Sequence, residues 1–260
     1  MKRLLHYLTA ILTVGVLLLA GAGLALRLTR GSYSEPIAIA PEVLGARSAG
    51  GIWLFAARAG KKVVLFDTGV DPDGRPVDGI LHALGAKRED VADVFLTHGH
   101  ADHTGAVHLF PNARVHGGAA DVDLAAGKET GGASLVSRLI GVVLPPTPAR
   151  ITDPMAGSRV VAVGDGKNVV ALPVPGHTAG SYAYVYQGVL FAGDVVWYGE
   201  GRLGPTPRPF ERRPDQSRKG ILSLASAVED REVEVVCTSH GGCTPGGEGK
   251  RLLRQLAARL

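Results

Sequence analysis

The chain has 260 residues, 45% hydrophobic and 20% charged, which is enough to bury one sizeable core. Its 28 Lys and Arg exceed its 24 Asp and Glu by four, and four cations (Lys2, Arg3, Arg27 and Arg30) lie in the first thirty residues, which hold no acid. Residues 31–260 are therefore balanced, which excludes the basic surface that nucleic-acid binding needs.

From Leu4 to Leu26 no formal charge occurs, a run of 23 residues. At ~1.5 Å per residue such a helix can cross a bilayer core of about 30 Å. We expect residues 1–30 to be a transmembrane anchor. A cleaved signal cut near Leu19–Gly23 is the competing expectation. In either case the domain over 31–260 is exported to the periplasmic or extracellular side, anchored through that helix or secreted if the leader is cut. Gly31–Glu35 reads as a polar linker. Apolar clustering then predicts strands at Ile37–Ala40, Ile52–Ala57 and Lys62–Phe66, and a helix over Val77–Leu84.

The apolar run Val94-Phe95-Leu96 leads into Thr97-His98-Gly99-His100-Ala101-Asp102-His103-Thr104-Gly105. In extended chain, residues two apart point the same way, so His98 and His100 can grip one metal ion. Asp102 and His103 sit where the loop turns and can face a second. Imidazole with carboxylate suits zinc, and also iron or manganese. A strand at Ala113–His116 follows. Residues 118–158 carry weak signals, apart from a helical apolar face at Leu135, Val136, Leu139, Ile140 and Val143 that Pro145-Pro146 would end. Further strands are expected at Arg159–Val163, Val169–Val174, Tyr182–Tyr186, Val189–Ala192 and Glu232–Cys237. Helices are expected at Pro214–Val228 and Gly249–Leu260. Cys237 and Cys243 flank His240. Export would let them pair, but a spacing of six does not ensure disulfide geometry, and two unrelated small residues is the favoured reading.

His98-Gly99-His100-Ala101-Asp102-His103 resembles the HxHxDH signature of the metallo-β-lactamase fold superfamily. Its other motifs follow in order: Asp67-Thr68-Gly69, Gly176-His177-Thr178-Ala179-Gly180, Gly193-Asp194 and His240-Gly241. The resemblance covers roughly Ile37 to the C-terminus and implies a four-layer αβ/βα sandwich. It also implies two divalent metal ions, zinc first among the candidates. His98, His100 and His177 would hold one, Asp102, His103 and His240 the other, and Asp194 would bridge them. Asp67 either orients a ligand imidazole or caps the turn at Thr68-Gly69. With both sets full, His82, His108 and His116 read as ordinary histidines, and the cysteines are not needed as ligands.

The resemblance further implies a hydrolase in which a hydroxide between the ions attacks a small-molecule ester, lactone or thioester. Asp194 would hold the pair together and Asp102 would steer a proton to the leaving group. Zinc β-lactamases carry cysteine or serine where this chain has Asp194. Glyoxalase II-like thioesterases add a helical glutathione-binding domain for which no residues remain here. In the lactonase relatives a tyrosine stands three residues after the bridging aspartate, where this chain has Trp197, followed by Tyr198. These two residues and the basic segment Arg202–Lys219 are candidates to line the pocket. Competing expectations are a mono-iron persulfide dioxygenase, a zinc β-lactamase, and a catalytically silent binding module. The sequence leaves the oligomeric state unassigned.

Overall fold

A computed structural model describes residues 33–129 and 147–260, with Tyr7, Thr13, Gly15 and Gly21 from the N-terminal run. The expected membrane or signal helix over 1–30 and the expected helix around Leu135–Val143 otherwise lie outside the described residues. Among the described residues, no helix is long and apolar enough to cross a membrane.

Two sheets dominate. The first contains β1 (Ile37–Ala40), β2 (Val43–Arg47), β3 (Trp53–Ala59), β4 (Lys62–Phe66), β5 (Val91–Phe95), β6 (Arg114–Gly118) and β7 (Asp153–Met155), side by side in that order. Pairing is antiparallel from β1 to β4 and parallel from β4 to β7. The second sheet contains β8 (Arg159–Gly164), β9 (Lys167–Pro173), β10 (Tyr182–Tyr186), β11 (Val189–Gly193), β14 (Val235–Thr238) and β15 (Gly242–Cys243). A separate hairpin joins β12 (Val196–Gly199) to β13 (Arg202–Pro205). The helices are α1 (Arg75–Ala83), two short turns α2 (Ala101–Thr104) and α3 (Val122–Ala125), then α4 (Pro214–Ala227) and α5 (Gly249–Ala257).

The central strands β4, β10 and β11 are buried on both faces, whereas β8 exposes one, and the alternation of side chains sorts residues between layers. On β4, Val64 and Phe66 point between the sheets, while Val63 and Leu65 pack under Val77, Ile80 and Leu81 of α1. On β10, Tyr182, Tyr184 and Tyr186 point inward, and Ala183 and Val185 meet Ile221 and Leu224 of α4 and Leu252, Leu253 and Leu256 of α5. The result is a mixed α/β sandwich, sheet on sheet with helices outside. Its centre is aromatic: Phe66 stacks on Phe191 at 3.8 Å between ring centroids, and lies 5.6 Å from Phe95.

The expected strands and long helices occur within a few residues of their predicted bounds. Unforeseen was β2, whose sequence Val-Leu-Gly-Ala-Arg carries little strand signal. Gly45 lies opposite Phe55, and a Cβ there would sit 2.7 Å from the Phe55 ring, so the glycine makes room for an aromatic neighbour. Also unforeseen were β7, β12, β13 and β15; within the basic segment Arg202–Lys219, β13 precedes the expected helix α4.

Candidate metal centre

The chemistry-bearing residues lie just beyond strand C-termini, where chain direction turns and side chains face outward from the sheet edge. Asp67 follows β4. His98 follows β5, and His100, Asp102 and His103 lie at or within α2. His177 sits in the turn between β9 and β10, Asp194 directly after β11, and His240 between β14 and β15. Gly193 has φ +55°, and a Cβ there would meet Thr97 Oγ1 at 2.5 Å, so glycine lets β11 deliver Asp194 against the β5 loop.

All seven predicted residues converge. His98 Nε2 and His100 Nδ1 are 2.8 Å apart, and His177 Nε2 lies 3.2 Å from the first and 3.1 Å from the second. Three donors around one tetrahedral ion at ~2.0–2.1 Å would stand about 3.3 Å apart, so this triangle is close to the size such an ion needs. A second group joins Asp102, His103 and His240, and a third joins His98, His103 and Asp194. Asp194 reaches both sides: Oδ2 is 3.2 Å from His240 Nε2 and 3.6 Å from His177 Nε2, and Oδ1 is 3.6 Å from His103 Nε2. His103 Nε2 and Asp194 Oδ1 are buried without a hydrogen-bond partner. Buried polar atoms rarely stay unpaired, and these two point at one another across a gap too long for a hydrogen bond. The donor set fits a pair of divalent cations.

The surroundings orient the imidazoles. Asp67 Oδ2 accepts from the Thr97 hydroxyl at 2.7 Å and lies 2.8 Å from His103 Nδ1, while Oδ1 accepts the Thr97 N–H at 2.8 Å. Of its two expected roles, Asp67 therefore takes that of imidazole orienter, leaving His103 Nε2 toward the centre. It does so at φ +58°, a conformation uncommon outside glycine and often found at functional sites. Thr97, which the sequence reading did not single out, also lies 3.1 Å from His98 Nδ1 through its hydroxyl.

Charge divides the centre in two. Burial, then the imidazoles of His103, His100 and His177, push His98 well below the ordinary histidine range. Burial and His100 push His177 down to about 3. Burial also opposes charge on His103, but Asp67, Asp102 and Asp194 outweigh it and hold that imidazole well above its ordinary range. Burial likewise opposes charge on His240, and Asp194 overcomes it, so the group is raised. Asp194 would be raised by burial alone, yet His103 and His240 hold its carboxyl well below the usual range.

Trp197 flanks the centre, its ring stacked 5.1 Å from His240 and 6.4 Å from Phe210. Tyr198, one residue on, turns to the outer core instead. Within the basic segment, the backbone N–H groups of Arg212 and Arg213 donate to His177 and Gly176 carbonyls at 3.1 and 2.9 Å, bracing that turn. His116 is a buried core residue between Asp153 and Asp93, at 2.7 and 2.8 Å, and His82 and His108 are exposed.

The favoured reading of Cys237 and Cys243 as unrelated residues is corrected: they form a disulfide. The reason is register. β14 and β15 run antiparallel, so Cys237 faces Cys243 with Cα atoms 4.0 Å apart, and the bond closes the loop carrying His240. For so short a loop the chain-entropy relation gives about 2 kcal/mol. Replacing both cysteines by serine is expected to lower stability by that amount, read as a lower denaturant midpoint. An unchanged midpoint would contradict it.

Comparison with known proteins bears on family and fold. A family model described as the metallo-beta-lactamase superfamily matches residues 49–240. The chain is 32% identical over 175 residues to a hydroxyacylglutathione hydrolase of Fuscovulum blasticum, covering 65% of this chain and 54% of that protein. It is 32% identical over 187 residues to a hydroxyacylglutathione hydrolase of Shewanella sp. (strain ANA-3), covering 72% and 60%. The chain thus spans little more than half the length of the curated relatives it matches. Among solved structures it resembles Rm3 metallo-beta-lactamase, with a TM-score of 0.64 at 19% identity over 89% of this chain and 92% of that one. A Cronobacter sakazakii metallo-beta-lactamase gives 0.63 at 20% identity over 81% and 80%. At these identities the likeness is one of fold.

Proposed function

The chain belongs to the metallo-beta-lactamase superfamily, and from that premise we propose that it is a metal-dependent hydrolase of small-molecule acyl compounds, with thioesters first, then esters and lactones. The observation that carries this reading is Asp194, a buried carboxylate in reach of donors from both groups. The relatives' name supports the acyl class, since hydroxyacylglutathione is a thioester. In this reading His98, His100 and His177 would hold one divalent cation and Asp102, His103 and His240 the other, with Asp194 shared between the two groups.

Two such ions, zinc being the best match to the donors, would supply Lewis acidity and lower the pKa of bound water to about 7. The protein's part is orientation and proton handling. Asp67 fixes the His103 ring so that only Nε2 faces inward. Asp102, one-third exposed, lies 3.7 Å from His103 and 3.9 Å from His240, where its carboxylate can take a proton and pass it outward to a leaving group. Trp197 stacks on His240 and covers one face of its ring.

The divided charge gives a pH prediction. As pH falls, His103 and His240, raised above the ordinary range, are protonated first, whereas His98 and His177 stay neutral, His177 down to about 3. Protons compete with cations for the same lone pairs. Acidification is therefore expected to release the Asp102–His103–His240 ion before the three-histidine ion, in two steps visible in the Co(II) spectrum. Release in the opposite order would contradict the assignment.

The disulfide and the uncharged run Leu4–Leu26 support export of the catalytic domain, to be tested by cell fractionation. The function itself is tested by assaying the purified full chain on acyl thioester, ester, lactone, β-lactam and phosphodiester substrates. Turnover of acyl substrates that a chelator abolishes and zinc restores is expected. Hydrolysis confined to β-lactams would overturn the proposal, as would oxygen uptake on a persulfide with one iron per chain.

A further inference from the structure

The three-histidine group is assembled from two loops with no local connection. His98 and His100 follow β5 in the first sheet, while His177 belongs to the second sheet, 79 residues from His98. One buried carboxylate outside the donor set touches both loops. Asp121 ends the helical turn after β6 and is 0% exposed. Its Oδ2 accepts the N–H of Gly99, between His98 and His100, at 2.9 Å, and the hydroxyl of Thr178, next to His177, at 2.6 Å. Its Oδ1 accepts the N–H of Gly180 at 2.8 Å.

The approach is close on both sides. A Cβ on Gly99 would lie 3.0 Å from the Asp121 carbonyl oxygen, and one on Gly180 would lie 2.7 Å from Asp121 Cγ. Among the described residues the partners of this carboxylate are two amides and a hydroxyl, with no cation. A buried carboxylate stabilised only by directed donors fixes the positions of those donors.

We propose that Asp121 is a positioning residue: it clasps the His98–His100 loop to the His177 turn and so sets the affinity of the three-histidine group for its ion. The proposal rests on the metal-dependent reading above. Partners that orient ligands from behind are typically worth about 10–100-fold in metal affinity. Asp121→Asn keeps the size but replaces one acceptor by an amide NH₂, so whichever way the amide is placed, a Gly99 or Gly180 N–H faces a donor. Thr178→Val removes one of the three bonds to the carboxylate, together with the 2.7 Å contact to the Ser181 hydroxyl, and leaves the carboxylate in place.

The test is Co(II) binding by the full chain, measured against a chromophoric chelator, alongside circular dichroism and the thermal midpoint of the metal-free protein. Asp121→Asn is expected to weaken the tighter Co(II) site about 10–100-fold and to alter its absorption spectrum, while the chain stays folded. Thr178→Val should shift affinity the same way by less, and the double variant should fall short of the product of the two effects, because both act on one clasp. Wild-type Co(II) affinity and spectrum in the folded variants, with only the thermal midpoint lowered, would overturn the proposal. If Asp121→Asn does not fold, Thr178→Val decides alone: wild-type affinity there overturns it. A wild-type chain that binds no Co(II) would overturn the metal-dependent reading and this inference with it, an outcome distinct from unchanged affinity in the variants.

Discussion

Replacing Asp194 by alanine is expected to take the chain from two bound ions to at most one and to lower acyl turnover by on the order of 10³-fold. The direction follows from position. Among the described residues, Asp194 is the one carboxylate that reaches His103, His177 and His240 together, at 3.2 to 3.6 Å, and it is almost wholly buried. Two cations held among five neutral imidazoles in a low-dielectric pocket would repel one another unless negative charge lay between them. Asp102 supplies some of it, but its side chain is one-third exposed and lies toward the His103–His240 side. The size of the effect follows from the several kcal/mol that a correctly placed metal contributes to a developing oxyanion, each ~1.4 kcal/mol being tenfold in rate. Metal analysis and turnover should fall together. Wild-type occupancy and rate in the variant would remove Asp194 from the centre of the account.

The second large effect is on stability. Phe66→Ala is expected to destabilise the fold by about 3–5 kcal/mol, the usual range for deleting a buried phenylalanine. Phe66 is 1% exposed and sits where the two sheets meet, with Phe191 from the opposite sheet stacked on one face and Tyr184 and Tyr186 both 6.1 Å away. No neighbour can collapse into the space, because each is held in its own strand register. Since Asp67 follows directly, the variant should also bind metal less tightly even where it remains folded. Denaturant unfolding would show a lower midpoint with an unchanged slope. A loss below ~1 kcal/mol would mean that the sheets are not joined through this ring.

What could be read from the sequence was what is local in the chain. The group at positions 98–103 brings four donor side chains within six residues, and strands are written plainly in the apolar runs Val63–Phe66 and Tyr182–Tyr186. The motifs around His177, Asp194 and His240 were legible through family resemblance, and the folded chain brings them to the cluster. What could not be read depends on partners far along the chain. The role of Asp121 lies in donors 22, 57 and 59 residues away, and no pattern around it announces them. The disulfide depends on a turn in which Gly241 and Gly242 both take positive φ, at +121° and +80°, bringing β15 back onto β14. β2 escaped notice because its glycine serves Phe55 on the next strand.

The central claim is that seven side chains from four loops form one two-metal centre, and anomalous diffraction at the zinc edge from crystals of the zinc-loaded chain tests it most directly. The account predicts two peaks, one among His98, His100 and His177 and one among Asp102, His103 and His240, with Asp194 between them. A single peak, or none within that cluster, would contradict it.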